Sequence, residues 1–496
     1  MHYKFCAAAF LVTTEALAQN VEPPDDALSN ARLMDMLREQ QYRLDRQQED
    51  IEELKKELFL ETSDVFEQIN TDENTSSPQQ EPQFGQIPAA RQTGNEEGFG
   101  FSSTVVRQPS LSWSGYGVLS YKQYDFFINT QDDDPDRRKL ADVERFILEP
   151  TYDFANGILL NAEIEFEHGG TGSAVEYEPE EFGEYEMEVE KGGEVVLEQL
   201  NLLFLNKPSM NWRVGHFLVP FGMVNSWHRP EDYFTVDRSL TESSLFPVAW
   251  HASGVEMLGV IGGKLRYQLQ LINGLDSSGF SGHSFVANGQ DNQLEYAPAD
   301  SLATLLRLDY NFTETGTFGG AVYYGNSASN RYKQNLDTDA YVTLLETHIR
   351  YSRGPFSLRS QYVWGNIQNS DKVTRANLNT FNAGVLGISR TPVAKSADGF
   401  FVEAGYNLLK AENPRTLLPE PRRIDLFARY DKFDTMAETS GDVQDQPRYD
   451  ITAVTAGVNY RHRPGIVFKA EFSKRRNEGS IGNESDQLAL SVGFDF

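Results

Sequence analysis

The chain ends Leu488-Ala489-Leu490-Ser491-Val492-Gly493-Phe494-Asp495-Phe496, and this stretch constrains the fold more than any other. Successive side chains of a strand point to opposite faces. Leu488, Leu490, Val492, Phe494 and Phe496 therefore share one face, and small or polar residues share the other. A soluble domain has no reason to stop on an exposed aromatic in mid-strand. A strand with one face against lipid and the other against a watery lumen does. The pattern predicts an all-β protein, a transmembrane antiparallel β-barrel.

Composition points to strands rather than helices as the spanning element. Mean hydropathy is -0.49 and hydrophobic residues make up 39%, which excludes a helical membrane bundle. Beyond the N-terminus no stretch approaches the ~20 apolar residues that a spanning helix needs. A barrel escapes that test because only alternate residues meet lipid. Acidic residues number 73 against 44 basic, a formal net charge of -29, so no nucleic acid is expected as a partner: phosphates need a basic surface.

The start reads as a secretion signal over residues 1–18. Lys4 supplies the positive end, Phe5 to Val12 the apolar stretch, and Ala16-Leu17-Ala18 the cleavage site. Cys6, the single cysteine, falls inside it, so the mature chain would have no disulfide, thiol nucleophile or zinc–thiolate site. Within residues 19–70, Leu37, Leu44, Ile51, Leu58 and Val65 repeat every seven positions. Leu33, Gln40, Gln47, Leu54 and Glu61 fill the second register, which predicts an α-helical coiled coil in the periplasm, with a trimer among the states its glutamines could set. Residues 71–110 lose the period and carry Asn74-Thr75-Ser76-Ser77-Pro78-Gln79-Gln80-Glu81-Pro82, the composition of a flexible linker.

From residue 111 to 496 the period is two. Leu160, Ala162, Ile164 and Phe166 alternate with Asn161, Glu163, Glu165 and Glu167, and Leu306, Leu308, Tyr310 and Phe312 alternate with Arg307, Asp309 and Asn311. Counting every such segment predicts about sixteen strands of roughly ten residues, in the outer-membrane barrel range. Long polar stretches (Asn326 to Thr338, Gly365 to Ser396) alternate with short connections such as Gly262-Gly263 and Arg463-Pro464-Gly465. The aromatic pairs Trp113 and Tyr116, Tyr323 and Tyr324, and Tyr430 and Phe433 stand near strand ends, where an interfacial girdle would lie. A soluble β-sandwich shows the same alternation, but its strands need not be this long.

The final strand ending in Phe resembles the C-terminal signature of bacterial outer-membrane barrels. The run Trp212-Arg213-Val214-Gly215-His216-Phe217-Leu218-Val219-Pro220-Phe221-Gly222 resembles the phosphate-selective porin O and P family, in which a V-G-x-F-x-x-P-F-G run closes a strand. The resemblance covers about residues 110 to 496 and implies a trimeric sixteen-stranded porin in the outer membrane. Phosphate selectivity in that family rests on a ladder of lumen arginines and a lysine cluster. Here Arg307, Arg350, Arg359, Arg423, Arg429 and Arg461 fall on the lumen face by parity, but Glu163, Glu165, Asp309, Glu403, Asp425 and Glu471 share it. The expectation carried over is the porin, passing small hydrophilic solutes or ions, with anions such as phosphate among the candidates.

Directly after Pro220-Phe221-Gly222 stand His228, Arg229, Glu231 and Asp232, then Asp237, Arg238 and Glu242. A charged loop following a Pro-Gly break can fold into the lumen and narrow it. These residues, with Arg307, Asp309, Arg423, Asp425 and Arg429 on the wall, are the candidates for a constriction. The run Glu176 to Glu190 reads as a solvated acidic loop. No pair of histidines has metal spacing and no G-x-S-x-G elbow is present, so no enzyme, metal or cofactor is expected. The expected partners are outer-membrane lipid, two further copies of the chain, and the solute. The alternative is a structural role, the coiled coil tethering the outer membrane to the cell wall.

Overall fold

The computed structural model describes residues 109–127, 129, 131–170, 193–290, 298–331, 334–381, 391–411 and 423–496. The chain divides into a unit of residues 1–82 and a unit of residues 83–496. The expected secretion signal and coiled coil, all but the last two residues of the expected linker, and the run Glu176 to Glu190 lie outside the described residues.

The second unit is a closed barrel in which each strand pairs antiparallel with the next and the last pairs with the first. The first eight strands are β1 (Ser110–Phe126), β2 (Asp136–Asp153), β3 (Ile158–Glu167), β4 (Glu194–Lys207), β5 (Met210–Leu218), β6 (His251–Ile261), β7 (Leu265–Asn273) and β8 (Leu302–Thr313). The second eight are β9 (Gly316–Asn326), β10 (Tyr341–Arg353), β11 (Phe356–Ile367), β12 (Ser396–Asn407), β13 (Arg423–Glu438), β14 (Asp450–Arg463), β15 (Ile466–Asn477) and β16 (Gln487–Asp495). The count of sixteen agrees with the alternation.

Period two does in space what it does in sequence. Along β8, Ala303, Leu305, Arg307 and Asp309 are buried inside, while Leu302, Leu306, Leu308 and Tyr310 face outward and are exposed. The aromatic pairs near strand ends split by the same rule. Trp113, Tyr324 and Tyr430 lie on the outer face, but Tyr116, Tyr323 and Phe433 are buried in the lumen and belong to no girdle. Each pair is separated by an odd number of positions, which sends its members to opposite faces.

The chain end closes the barrel. Phe496 and Gly115 exchange backbone hydrogen bonds at 2.9 and 3.0 Å, and Gly117 lies opposite Phe494. The rings of Phe494 and Phe496 lie over Gly117 and Gly115, and Phe496 stacks on Phe146 of β2 with ring centroids 5.9 Å apart. Closure leaves no unpaired edge, the condition under which a sheet can cross lipid.

Connections differ between the two ends. Residues 208–209, 314–315, 354–355 and 464–465 are tight turns at one end, where β1 also begins and β16 stops. Residues 219–250, 274–301, 327–340 and 368–395 are long connections at the other. At the long-loop end an apolar cluster fills the barrel beside β6 to β13. Phe221, Phe246, Trp250, Phe280 and Phe285 from the connections pack on Leu305, Tyr323, Val342, Leu344 and Val363 of the wall.

A side chain at position 117 would meet the Phe494 ring at 2.5 Å. Gly117→Leu is expected to destabilise the closed barrel by about 1–3 kcal/mol, as overpacking does elsewhere. The check is the denaturant midpoint of heat-modifiable mobility on gels; an unchanged midpoint contradicts the packing described.

Candidate functional site

Residues 219–250 do not stay at the long-loop end. The connection leaves β5, runs down the inside of the barrel and returns to β6. At its lowest point the Glu231 carboxylate accepts a hydrogen bond from the N–H of Gly465, in a tight turn at the opposite end, at 3.0 Å. Pro230 lies against Gly493 of β16. The connection is therefore a strap spanning the height of the lumen.

Wall cations hold the strap by its backbone carbonyls. Arg307 donates through one terminal nitrogen to Pro220 O and Gly222 O at 2.9 and 2.8 Å. Arg429 donates to Asp237 O and Arg238 O at 3.1 and 3.3 Å and also to the Thr235 hydroxyl. Arg461 donates to Glu231 O at 2.7 Å and Arg359 to Asp232 O. Lys469 donates to Tyr233 O and Thr235 O at 3.0 and 2.8 Å, and Asn459 to Phe234 O at 2.8 Å. Charge-assisted hydrogen bonds contribute ~1.5–3 kcal/mol each, so a series of them offsets part of the ~1–2 kcal/mol per residue lost in ordering the strap.

Each guanidinium is aimed by an acid on the same face. Arg307 Nε donates to Asp309 at 2.9 Å and Arg429 Nε to Asp431 at 2.8 Å, in both cases two residues along the strand. Arg359 Nε stands 3.0 Å from Glu403 on the next strand. The acid takes the Nε edge and leaves the terminal nitrogens for the strap. Trp227 of the strap sits between Arg307 and Arg350, whose guanidinium carbons are 5.0 and 4.3 Å from its ring centroid. His348, fully buried, places one ring nitrogen 3.0 Å from Glu346 and the other 3.0 Å from Asp309.

On the opposite wall the strap meets acids. Arg229 pairs with Glu149 of β2, and His228 lies 3.7 Å from Glu163 of β3. Asp237 pairs with Lys122 of β1 at 2.7 Å and accepts from Gln487. Burial opposes the charge on Asp237, yet the Lys122 ammonium and Gln487 hold its carboxyl below the usual range. The strap folds back on itself at Gly222. Its φ is +81°, and a Cβ there would strike Phe246 at 2.4 Å, so glycine is required. Beyond Gly222 the N–H groups of Met223 and Val224 donate to Glu242, in the short helix Leu240–Leu245, at 2.7 and 3.1 Å.

His228, Arg229, Glu231, Asp232, Asp237, Arg238 and Glu242 all lie on the strap. Arg307, Asp309 and Arg429 face it from the wall. Arg423 and Asp425 bond to each other at 2.6 Å near the tight-turn end, and Arg423 reaches Ser357 rather than the strap. Sequence reasoning missed Glu149, Trp227, Asp431, Asn459 and Lys469. A signal was available for one of them: Arg307-Leu308-Asp309, Arg423-Ile424-Asp425 and Arg429-Tyr430-Asp431 repeat an arginine and an aspartate on one face of a strand.

Between the strap and β4 to β8 lies a cavity of about 100 Å³, lined among others by Gln199, Arg213, Trp227, His228, Arg266 and Asp309. Among the described residues no three His, Cys, Asp or Glu side chains are placed to hold a metal ion.

No family model matches the chain. A protein of Aquifex aeolicus (strain VF5) described only as uncharacterized is 24% identical over 401 residues, 80% of this chain and 83% of that one. Among solved structures, the loop L8 deletion mutant of OmpT, an outer membrane protein of Vibrio cholerae, aligns with a TM-score of 0.45 and 10% identity, covering 79% of this chain and 100% of that one. The anion-selective porin from Comamonas acidovorans gives 0.43 and 9%, covering 78% and 100%. Salmonella typhi OmpF in complex with daunomycin gives 0.45 and 14%, covering 78% and 97%. Likeness at this level goes no further than the closed barrel.

Burial pushes the Glu242 carboxyl up to about 7, against the pull of the Val224 and Met223 N–H groups. A free glutamate titrates near ~4.3, so the folded strap binds the proton more tightly than an unfolded one. This contribution to the strap's hold is complete below about pH 4 and is lost as pH rises through 7. Glu242→Gln keeps the acceptor oxygen and removes the charge. Exchange of strap amides, corrected for intrinsic rate, is expected to speed up between about pH 4 and 7 in the native protein and to speed up less in the variant. Equal slopes in both contradict the assignment.

Proposed function

We propose that this protein is an outer-membrane porin, a water-filled barrel through which small hydrophilic solutes diffuse passively. The closed sheet, apolar outside and charged inside, is the observation that supports the reading. No helix among the described residues is long and apolar enough to cross a membrane, which leaves crossing to the strands. Tight turns at one end and long connections at the other correspond to periplasmic and extracellular faces. In this reading residues 1–18 direct export, and the heptad segment stands in the periplasm and joins three copies.

The strap sets the size limit. It occupies the lumen from the long-loop end to the periplasmic turns, and what remains open is bounded by its charged residues and the wall. Phosphate is not the favoured solute. Arg307, Arg359, Arg429 and Arg461, the ladder that phosphate would need, are engaged with strap carbonyls and acids.

Liposome swelling tests the proposal. Vesicles containing the purified full-length protein are expected to swell in an isotonic monosaccharide and to stay constant in an isotonic tetrasaccharide. No swelling in either contradicts the open-channel reading.

A further inference from the structure

The outer face of the barrel carries its cations unevenly. In the long-loop half, outward-facing lysines and arginines occur on β2, β13 and β15 and, among the described residues, on no other strand. Lys139 lies opposite Gln123 of β1, which lies opposite the exposed Leu488, so all three share the lipid side. Arg137, two positions before Lys139, points the same way. Lys474 is opposite the exposed Val454, and Arg476, Thr452 and Lys432 form a row across β15, β14 and β13 on that side. From β13 round to β2 these cations stand within about 24 Å of circumference, on a chain whose net charge is -29.

Acids accompany them but lie closer to the sheet. Asp486 is 3.4 Å from Lys474 and Asp125 is 3.6 Å from Arg137. Asp450 pairs with Lys432, and Asp434 accepts from the N–H of Met436. The Arg137 and Lys474 side chains are 73% and 53% exposed, against 23% and 27% for the aspartates beside them. The longer cationic heads are therefore what an approaching group meets first. Arg476 and Lys139 are exposed and make no ion pair or hydrogen bond among the described residues.

What lies beneath the cations tells what meets them. Toward the middle of the barrel the same side of the same sector continues as Leu490, Phe472, Phe468, Val458 and Leu426, all exposed. A matching ligand therefore carries anions above and hydrocarbon below, and a free phosphate ion matches only the upper part. We infer that the sector from β13 to β2 binds a phosphorylated lipid of the leaflet on the long-loop side. Its phosphates rest on Lys139, Lys474 and Arg476, and its acyl chains lie on the apolar side chains beneath. Lysine and arginine at a membrane surface attract anionic headgroups, and the arginine fork takes phosphate through paired N–H groups. The inference rests on the membrane orientation given in the porin reading.

The test is native mass spectrometry of the full-length protein in detergent, with lipid A bearing two phosphates or one. The native protein is expected to bind the doubly phosphorylated lipid at least about fivefold more tightly. The Lys139→Gln, Lys474→Gln, Arg476→Gln triple variant is expected to lose that preference. The Lys264→Gln, Arg353→Gln variant, altered at the tight-turn end, is expected to keep it. Should the triple variant fail to give the heat-modifiable folded band, Arg476→Gln alone is read in its place and is expected to lower the preference in the same direction. Equal binding of the two lipids by the native protein, an unchanged preference in the triple variant, or an equal loss in both variants overturns the lipid site. Equal binding together with fewer copies per particle in the triple variant overturns it too, and assigns the sector to contact between copies of the chain. Liposome swelling reads the channel separately. Swelling without a lipid preference overturns the site and leaves the porin standing, and a lipid preference without swelling removes the channel and leaves the site.

Discussion

The structure depends on guanidinium groups held at one edge by a carboxylate and offering the other edge to backbone carbonyls. A segment lowered into a barrel brings with it polar backbone groups that its own helix or strand does not satisfy. Left unpaired away from bulk water, each would cost about 1–3 kcal/mol. Arg307, Arg359, Arg429, Arg461 and Lys469 supply the missing donors from the wall, and Asp309, Asp431 and Glu403 keep the guanidinium charge compensated. The arrangement turns residues that would otherwise line an open pore into fasteners for what narrows it.

The fasteners sit on β8 to β15, and the apolar cluster closes the same side at the long-loop end. Partly exposed charged groups remain on both sides, Lys122 and Asp237 on one and Arg423 and Glu231 on the other. A barrel of this size would otherwise enclose a wide lumen. Here the strap crosses it, and His228 and Arg229 of the strap close on Glu163 and Glu149 of the wall.

Much of the barrel was legible because lipid enforces an unambiguous rule. Leu306, Leu308 and Tyr310 had to share a face, and so did Arg307 and Asp309. The same rule, not applied to the aromatic pairs, placed Tyr116, Tyr323 and Phe433 at a girdle when parity puts them inside. The strap residues could be picked out as charged and following Gly222, but nothing local told how far down they reach. Contacts such as Glu231 with Gly465, or Lys469 with Tyr233, join positions more than 230 apart, and no period in the sequence encodes them. Arg423 shows the limit from the other side. It carries the same arginine–aspartate spacing as Arg429, yet its guanidinium turns to Ser357, while Arg461 opposite it on β14 takes the strap carbonyl of Glu231.

The strap reaches the tight-turn end of the barrel where Pro230 lies against Gly493. Pro230 and Gly493 are the pair to probe. A Cβ built on Gly493 stands 2.3 Å from that of Pro230, close enough that a small shift allows a disulfide, and Cys6 is the chain's single native cysteine. With Pro230→Cys and Gly493→Cys introduced together, mild oxidation of the folded protein in membranes is expected to form the intramolecular bond and block both thiols from a maleimide reagent. Both thiols remaining open to the reagent after oxidation would mean that residues 219–250 do not cross the lumen, contradicting the strap and the narrowing assigned to it.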